Sequence, residues 1–138
     1  MSTRGCIARK TKDGFSGVFH HWDSYPSGLG EALWKLYHKR FNKNLDEMLK
    51  SIIDEHPEGF ISIIEDRFEP YEDKMSDIIT QENMNSHWCE YAYVFDDKSM
   101  IILDSKLRPM AIIDLDGHEP DWEKLDKSSE YVKVRLNA

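Results

Sequence analysis

Thr3–Trp22 reads TRGCIARKTKDGFSGVFHHW, two strand-forming runs, Thr3–Lys10 and Phe15–Trp22, on either side of Lys12-Asp13-Gly14. Asp-Gly between such runs signals a hairpin, because these residues accept the backbone angles of a tight turn. The chain is therefore expected to open with an antiparallel strand pair. Asp23-Ser24-Tyr25-Pro26-Ser27-Gly28 follows as a turn cluster. Leu29, Ala32, Leu33, Leu36, Tyr37 and Phe41 then recur at helical spacing, which predicts a helix from about Ser27 or Gly28 to about Phe41. Asn44, with Glu47 three residues on, reads as the cap of a second helix. Leu45, Met48, Leu49, Ile52 and Ile53 form its stripe, and Pro57 and Gly59 end it.

Phe60–Ile64 is short enough to be helix or strand. Residues 65–86 are polar and acidic, and predict a long excursion with one helical turn near Met75–Thr80. Trp88–Asp96 and Ser99–Leu103 predict a second hairpin around Asp96-Asp97-Lys98, and Met110–Leu115 a further strand. From Asp116 onward, residues 116–138 read as a polar C-terminal tail with a short helix near Trp122–Leu125. The order is two strands, two helices, then about three strands. It predicts one α+β domain over 1–138, with an antiparallel sheet of about five strands and two main helices packed on one face.

With 138 residues, 40% apolar and 12% aromatic, the chain can bury a core of its own. No apolar run approaches the ~20 residues of a membrane helix. The opening Met1-Ser2-Thr3-Arg4-Gly5 carries no secretory signal, so a cytoplasmic protein is expected. Cys6 and Cys89 are too few for a disulfide framework and are read as buried, reduced thiols. Residues 1–50 carry nine basic and five acidic side chains; residues 51–138 carry nine and twenty-one. Nine acids lie between Asp54 and Asp77, against Arg67 and Lys74. That balance argues against nucleic-acid binding and leaves room for a small anionic ligand near the N-terminal half. The acidic stretch reads first as a solvated face.

The stretch with most chemistry is His20-His21-Trp22-Asp23-Ser24-Tyr25-Pro26-Ser27-Gly28-Leu29-Gly30. Strand alternation puts His20 and Trp22 on one face and His21 and Asp23 on the other. Asp23 could orient the His21 ring, or the two could serve only to cap the helix and brace the turn. Ser27, Gly28 and Gly30 would offer backbone N–H groups to an anion at the helix start. Arg4 is expected either to pair with Asp23 or a carboxylate of the acidic stretch or, as a ligand residue, to clamp a phosphate; Tyr25 is a rigid turn aromatic that could stack on a base, as could Tyr93. Tyr91 and Tyr93 share a strand face and could line a pocket. Trp34 lies off the main helical stripe and suggests a second packing surface. A metal site would need His38, His56, His87 or His118 brought in from afar, so no metal and no cofactor is expected.

Thr3-Arg4-Gly5-Cys6-Ile7, the block from His21 to Gly30, and Glu90-Tyr91-Ala92-Tyr93 together resemble a family of small, largely uncharacterised bacterial and phage proteins. The resemblance implies a short accessory protein of phage or prophage origin that acts against host defence. Its matching positions are Arg4, His21, Asp23, Tyr25, Pro26 and Gly30.

The leading expectation is a non-enzymatic protein that binds and sequesters a small anionic ligand, a nucleotide or cyclic-nucleotide defence signal. Its ligand residues would be Arg4, His21, Asp23, Tyr25, Ser27, Gly28, Gly30 and Tyr93. A second reading is a small hydrolase of phosphoester-type bonds, with His21 as general base oriented by Asp23. A third is an acidic inhibitor of a host protein that uses Glu65–Asp77. A homo-oligomer fits a small aromatic-rich domain.

Overall fold

The computed structural model describes residues 2–72 and 77–127. Along them run β1 (Arg4–Lys10), β2 (Phe15–His20), α1 (Glu31–Lys35), α2 (Leu45–Leu49), β3 (Phe60–Ile64), β4 (Arg67–Pro70), β5 (Ile79–Thr80), β6 (Cys89–Asp96), β7 (Ser99–Asp104), β8 (Pro109–Asp114) and α3 (Trp122–Asp126). The strands form one sheet in the order β4-β3-β2-β1-β6-β7-β8, with β5 also on β2.

This mixed, eight-stranded sheet in a mostly β chain corrects the expected antiparallel sheet of about five strands with two main helices. β1 pairs with β6 and β2 with β3 in parallel, joining segments distant in sequence. Local alternation carries no information about such pairing. β4 and β5 lie within residues 65–86, expected as an excursion, and span four and two residues, too short for a readable period. The turn placed near Met75–Thr80 is partly outside the described residues; Ile79–Thr80 is a strand set against Ser16 and Gly17.

Both hairpins form, β1–β2 with Lys10 opposite Phe15, and β6–β7 with Asp96 opposite Ser99. The first helical segment spans 26–40 but is α-helical only at Glu31–Lys35, between π-type turns at Pro26–Gly30 and Leu36–Arg40. The second widens in the same way over Lys50–Asp54. At the first segment's end Phe41 N–H donates to the Leu36 carbonyl at 2.9 Å and Lys43 N–H to Tyr37 at 2.7 Å. Asn42 and Lys43 sit at φ 49° and 64°, the left-handed stop that lets late N–H groups reach back to orphan carbonyls. Asn44 Oδ1 accepts from Glu47 N–H at 3.1 Å and caps α2. Asn44→Ala is expected to lower the unfolding free energy by about 1 kcal/mol, read as a shift in urea midpoint at unchanged slope.

All three helices bury against one sheet face, where Leu33, Leu36, Tyr37, Met48, Ile52 and Trp122 pack with Ile7, Val18, Tyr93 and Phe95. The opposite face buries Cys6, Ala8, Phe19, Ala92 and Val94 beneath Ile79 and Met84. Within the stretch expected as a polar tail with a short helix near Trp122–Leu125, α3 forms and packs on the rest of the chain. Asp116 accepts from the Tyr37 hydroxyl at 3.0 Å, and Trp122 is buried with its ring 6.3 Å from that of Trp34. Trp34 is thus covered by α3 of its own chain. Residues 128–138 lie outside the described part.

Candidate functional site

After β2 the chain keeps to the edge of β3. His21 N–H donates to the Phe60 carbonyl and Trp22 N–H to the Ile61 carbonyl, each at 3.0 Å. Asp23 then turns the chain at φ 58°, a left-handed position that Asp tolerates better than most residues. Ser24 N–H closes the turn on the Thr3 carbonyl at 3.0 Å.

His20 is the buried anchor of this turn. Its Nε2 accepts from Ile63 N–H at 3.0 Å, so the ring proton sits on Nδ1 and is donated to Ser24 Oγ at 2.8 Å. Ser24 passes its own proton to the His20 carbonyl at 3.3 Å. Burial, and secondarily the charge of His21, push the His20 pKa down to about 3. The sequence reading assigned His20 no role. The available signal was alternation itself, which sends one of two adjacent histidines inward at a strand end.

The backbone donors at the start of the first helical segment are already engaged. Ser27 N–H donates to Asp126 Oδ1 at 2.9 Å, Gly28 N–H to the Tyr25 carbonyl at 2.9 Å, and Leu29 N–H to the Asp23 and Tyr25 carbonyls. The carboxylate of α3 therefore stands where an anionic ligand was expected. A side chain at Gly28 would overlap the Asp23 carbonyl, and one at Gly30 would press on the Trp122 ring at 3.0 Å. Both glycines thus serve close packing. Tyr93 is fully buried and its hydroxyl donates to the Ser24 carbonyl at 2.6 Å, so its ring packs in the core.

The expected ligand residues divide between the two sides of the sheet. On the helical side Asp23, Tyr25, Ser27 and Gly28 line a cleft of about 250 Å³, together with Trp22, Glu31, Lys35, Ile64 and Glu65. The Tyr25 hydroxyl is hydrogen-bonded to Asp23, and partial burial, then this neighbouring charge, raises its pKa. Lys35 Nζ pairs with Glu31 at 2.8 Å.

Arg4 and His21 lie on the opposite side. Among the described residues no hydrogen bond or ion pair joins Asp23 to His21, so the geometry leaves the general-base arrangement without its orienting carboxylate. The Arg4 guanidinium lies 5.5 Å from the centre of the Trp88 ring. Phe19 forms the floor, with the rings of His21, Tyr71 and His87 centred 5.9, 6.3 and 6.3 Å from its own. His87 Nε2 is 3.6 Å from Asp77 Oδ2. Partial burial, then the Arg4 charge, lowers the His21 pKa, which favours the neutral ring. Burial raises the Tyr71 hydroxyl against the opposing pull of Arg4.

Among the described residues no three His, Cys, Asp or Glu side chains gather as a metal site. Cys6 and Cys89 are both free and buried. Their mutual hydrogen bond, then burial, drive the Cys6 thiol pKa up, which disfavours a thiolate nucleophile. No helix among the described residues is long and apolar enough to cross a membrane. No family model, curated protein or solved structure matches this chain.

Proposed function

We propose that the protein binds a small organic anion bearing an aromatic ring, of the nucleotide class, on the sheet face that carries Arg4, His21, Tyr71 and Trp88. The observation that carries this reading is Arg4. It has no carboxylate partner among the described residues, and it is half-buried against Trp88, which is 70% exposed. A guanidinium held beside an exposed indole offers a bidentate pair of N–H donors to a phosphate and a flat face to a base. His21 adds a hydrogen-bond donor or acceptor beside them, with the neutral ring favoured. No carboxylate among the described residues orients His21, so the cluster is read as holding the ligand rather than turning it over.

The test is titration with AMP, read as chemical-shift changes at the Trp88 indole. Adenosine serves as the control without charge and inorganic phosphate as the control without a ring. AMP is expected to bind at least tenfold tighter than either. Arg4→Ala is expected to weaken AMP about tenfold or more, in line with about 1.5–3 kcal/mol for a hydrogen bond to a charged group. An AMP titration that moves no indole signal, or one unchanged in Arg4→Ala, removes the reading.

A further inference from the structure

We infer that the cleft between the first helical segment and the β3–β4 turn is a second site, one that takes an organic cation: a guanidinium or alkylammonium group on an apolar stem. The cleft holds about 250 Å³ and is open to solvent on one side. Trp22 and Tyr25 give it aromatic walls, and Ala32, Ile63 and Ile64 an apolar floor and lip. Trp22 is 43% and Ile64 49% exposed, so two large apolar side chains flank the mouth uncovered. A monomeric surface seldom leaves such groups clustered about a concavity without a guest.

Charge selects the sign of that guest. Asp23, Glu31 and Glu65 line the cleft, and its one cation, Lys35, is already paired with Glu31 at 2.8 Å. Lys35 also feels the charges of Glu119 and Glu65, so the ammonium of the chain itself is favoured here. An incoming anion would meet two surplus carboxylates. An incoming cation would meet them together with the aromatic side chains of Trp22 and Tyr25, residue types that recognise guanidinium and ammonium groups. The site is distinct from the anion face: its polar groups come from the turn after β2, the first helical segment and the β3–β4 turn, neither Arg4 nor Trp88 lines it, and the two meet only where the His21 and Trp22 rings touch edge-on with centres 4.8 Å apart.

The probes are acetyl-arginine amide, its uncharged citrulline counterpart, and agmatine, followed at the Trp22 indole with Trp22→Phe for assignment. Acetyl-arginine amide or agmatine is expected to shift that signal at millimolar concentration, and the citrulline compound is not. Glu65→Gln and Asp23→Asn are each expected to weaken binding several-fold, while Arg4→Ala leaves it unchanged. Binding of agmatine alone would show that the site takes the alkylammonium group, and binding of both cations would show that a guanidinium on an apolar stem suffices. Failure of both cations up to roughly 10 mM, or equal binding of the citrulline compound, overturns the inference. Equal binding to Glu65→Gln and Asp23→Asn, both confirmed folded by their indole spectra, overturns it as well. Because the AMP titration reads a different indole and a different variant, failure here and failure of the anion site are separable.

Discussion

Lowering the pH from 7 to 4 is expected to remove roughly 3 kcal/mol of folding stability through His20 alone. In the unfolded chain this imidazole takes up its proton near pH 6.5, whereas the folded ring resists protonation down to about 3. The reason is geometric. Nε2, where the second proton would go, already accepts from Ile63 N–H, and the ring is 1% exposed. Between those two pKa values the unfolded state binds more protons, so stability falls as the pH falls. The contribution is fully retained above about 6.5 and exhausted near 3. Urea unfolding at a series of pH values, on the wild type and on His20→Gln, measures it. The variant should be less stable at pH 7 yet lose about 3 kcal/mol less on acidification. Carboxylates held low by a partner, such as Asp54 beside Arg9, titrate in both proteins and cancel in the difference. Parallel pH profiles would mean that the native ring is not held neutral.

His20 also marks where a reading of the sequence stops. Features whose cause is local were legible: the Asp13-Gly14 hairpin, the Asn44 cap with its Glu47 partner, the strand pair about Asp97, and the helical stripe from Leu29 to Phe41. Features whose cause is distant were not. The parallel pairing of β1 with β6 depends on chain more than eighty residues apart, and the role of Trp122 depends on Gly30 leaving room for its ring. The candidate site fared likewise. The motif from His21 to Gly30 was legible as a strand, a turn and a helix start. That the α3 carboxylate of Asp126 would occupy the helix start was not, because Asp126 lies 99 positions beyond Ser27. Arg4 and His21 were singled out as residues that could meet an anion. Their placement across the sheet from Tyr25 and Gly28 follows from strand alternation: Arg4, Cys6 and Ala8 share one side of β1, as Phe19 and His21 share that side at β2. Alternation had already put His21 and Trp22 on opposite faces. The missing step was that the helix start belongs to the face of Trp22.

The centre of the sheet should tolerate no side chain at Gly17. This residue of β2 lies between Ala8 of β1 and Ile79 of β5. A methyl group there would overlap the Ile7 carbonyl oxygen and come within 2.5 Å of the Ala8 Cα. These obstacles are backbone atoms of the strand that joins the two halves of the sheet, so they cannot rotate away as a side chain would. Gly17→Ala can be accommodated only by parting β1 from β2, with loss of ladder hydrogen bonds and of packing against Cys6 and Phe19. The expected cost is on the order of 4 kcal/mol, beyond the usual range for an overpacked side chain. Gly14→Ala is the matched control, since the nearest atoms its added carbon meets are the end of the Gln81 side chain. Moving that side chain forfeits the bond from Phe15 N–H to Gln81 Oε1, about 1 kcal/mol. Urea unfolding of the two variants beside the wild type separates backbone obstruction from side-chain crowding. If Gly17→Ala loses no more than Gly14→Ala, β1 and β2 do not approach as closely as described, and the central position of β1 in the sheet must be revised with them.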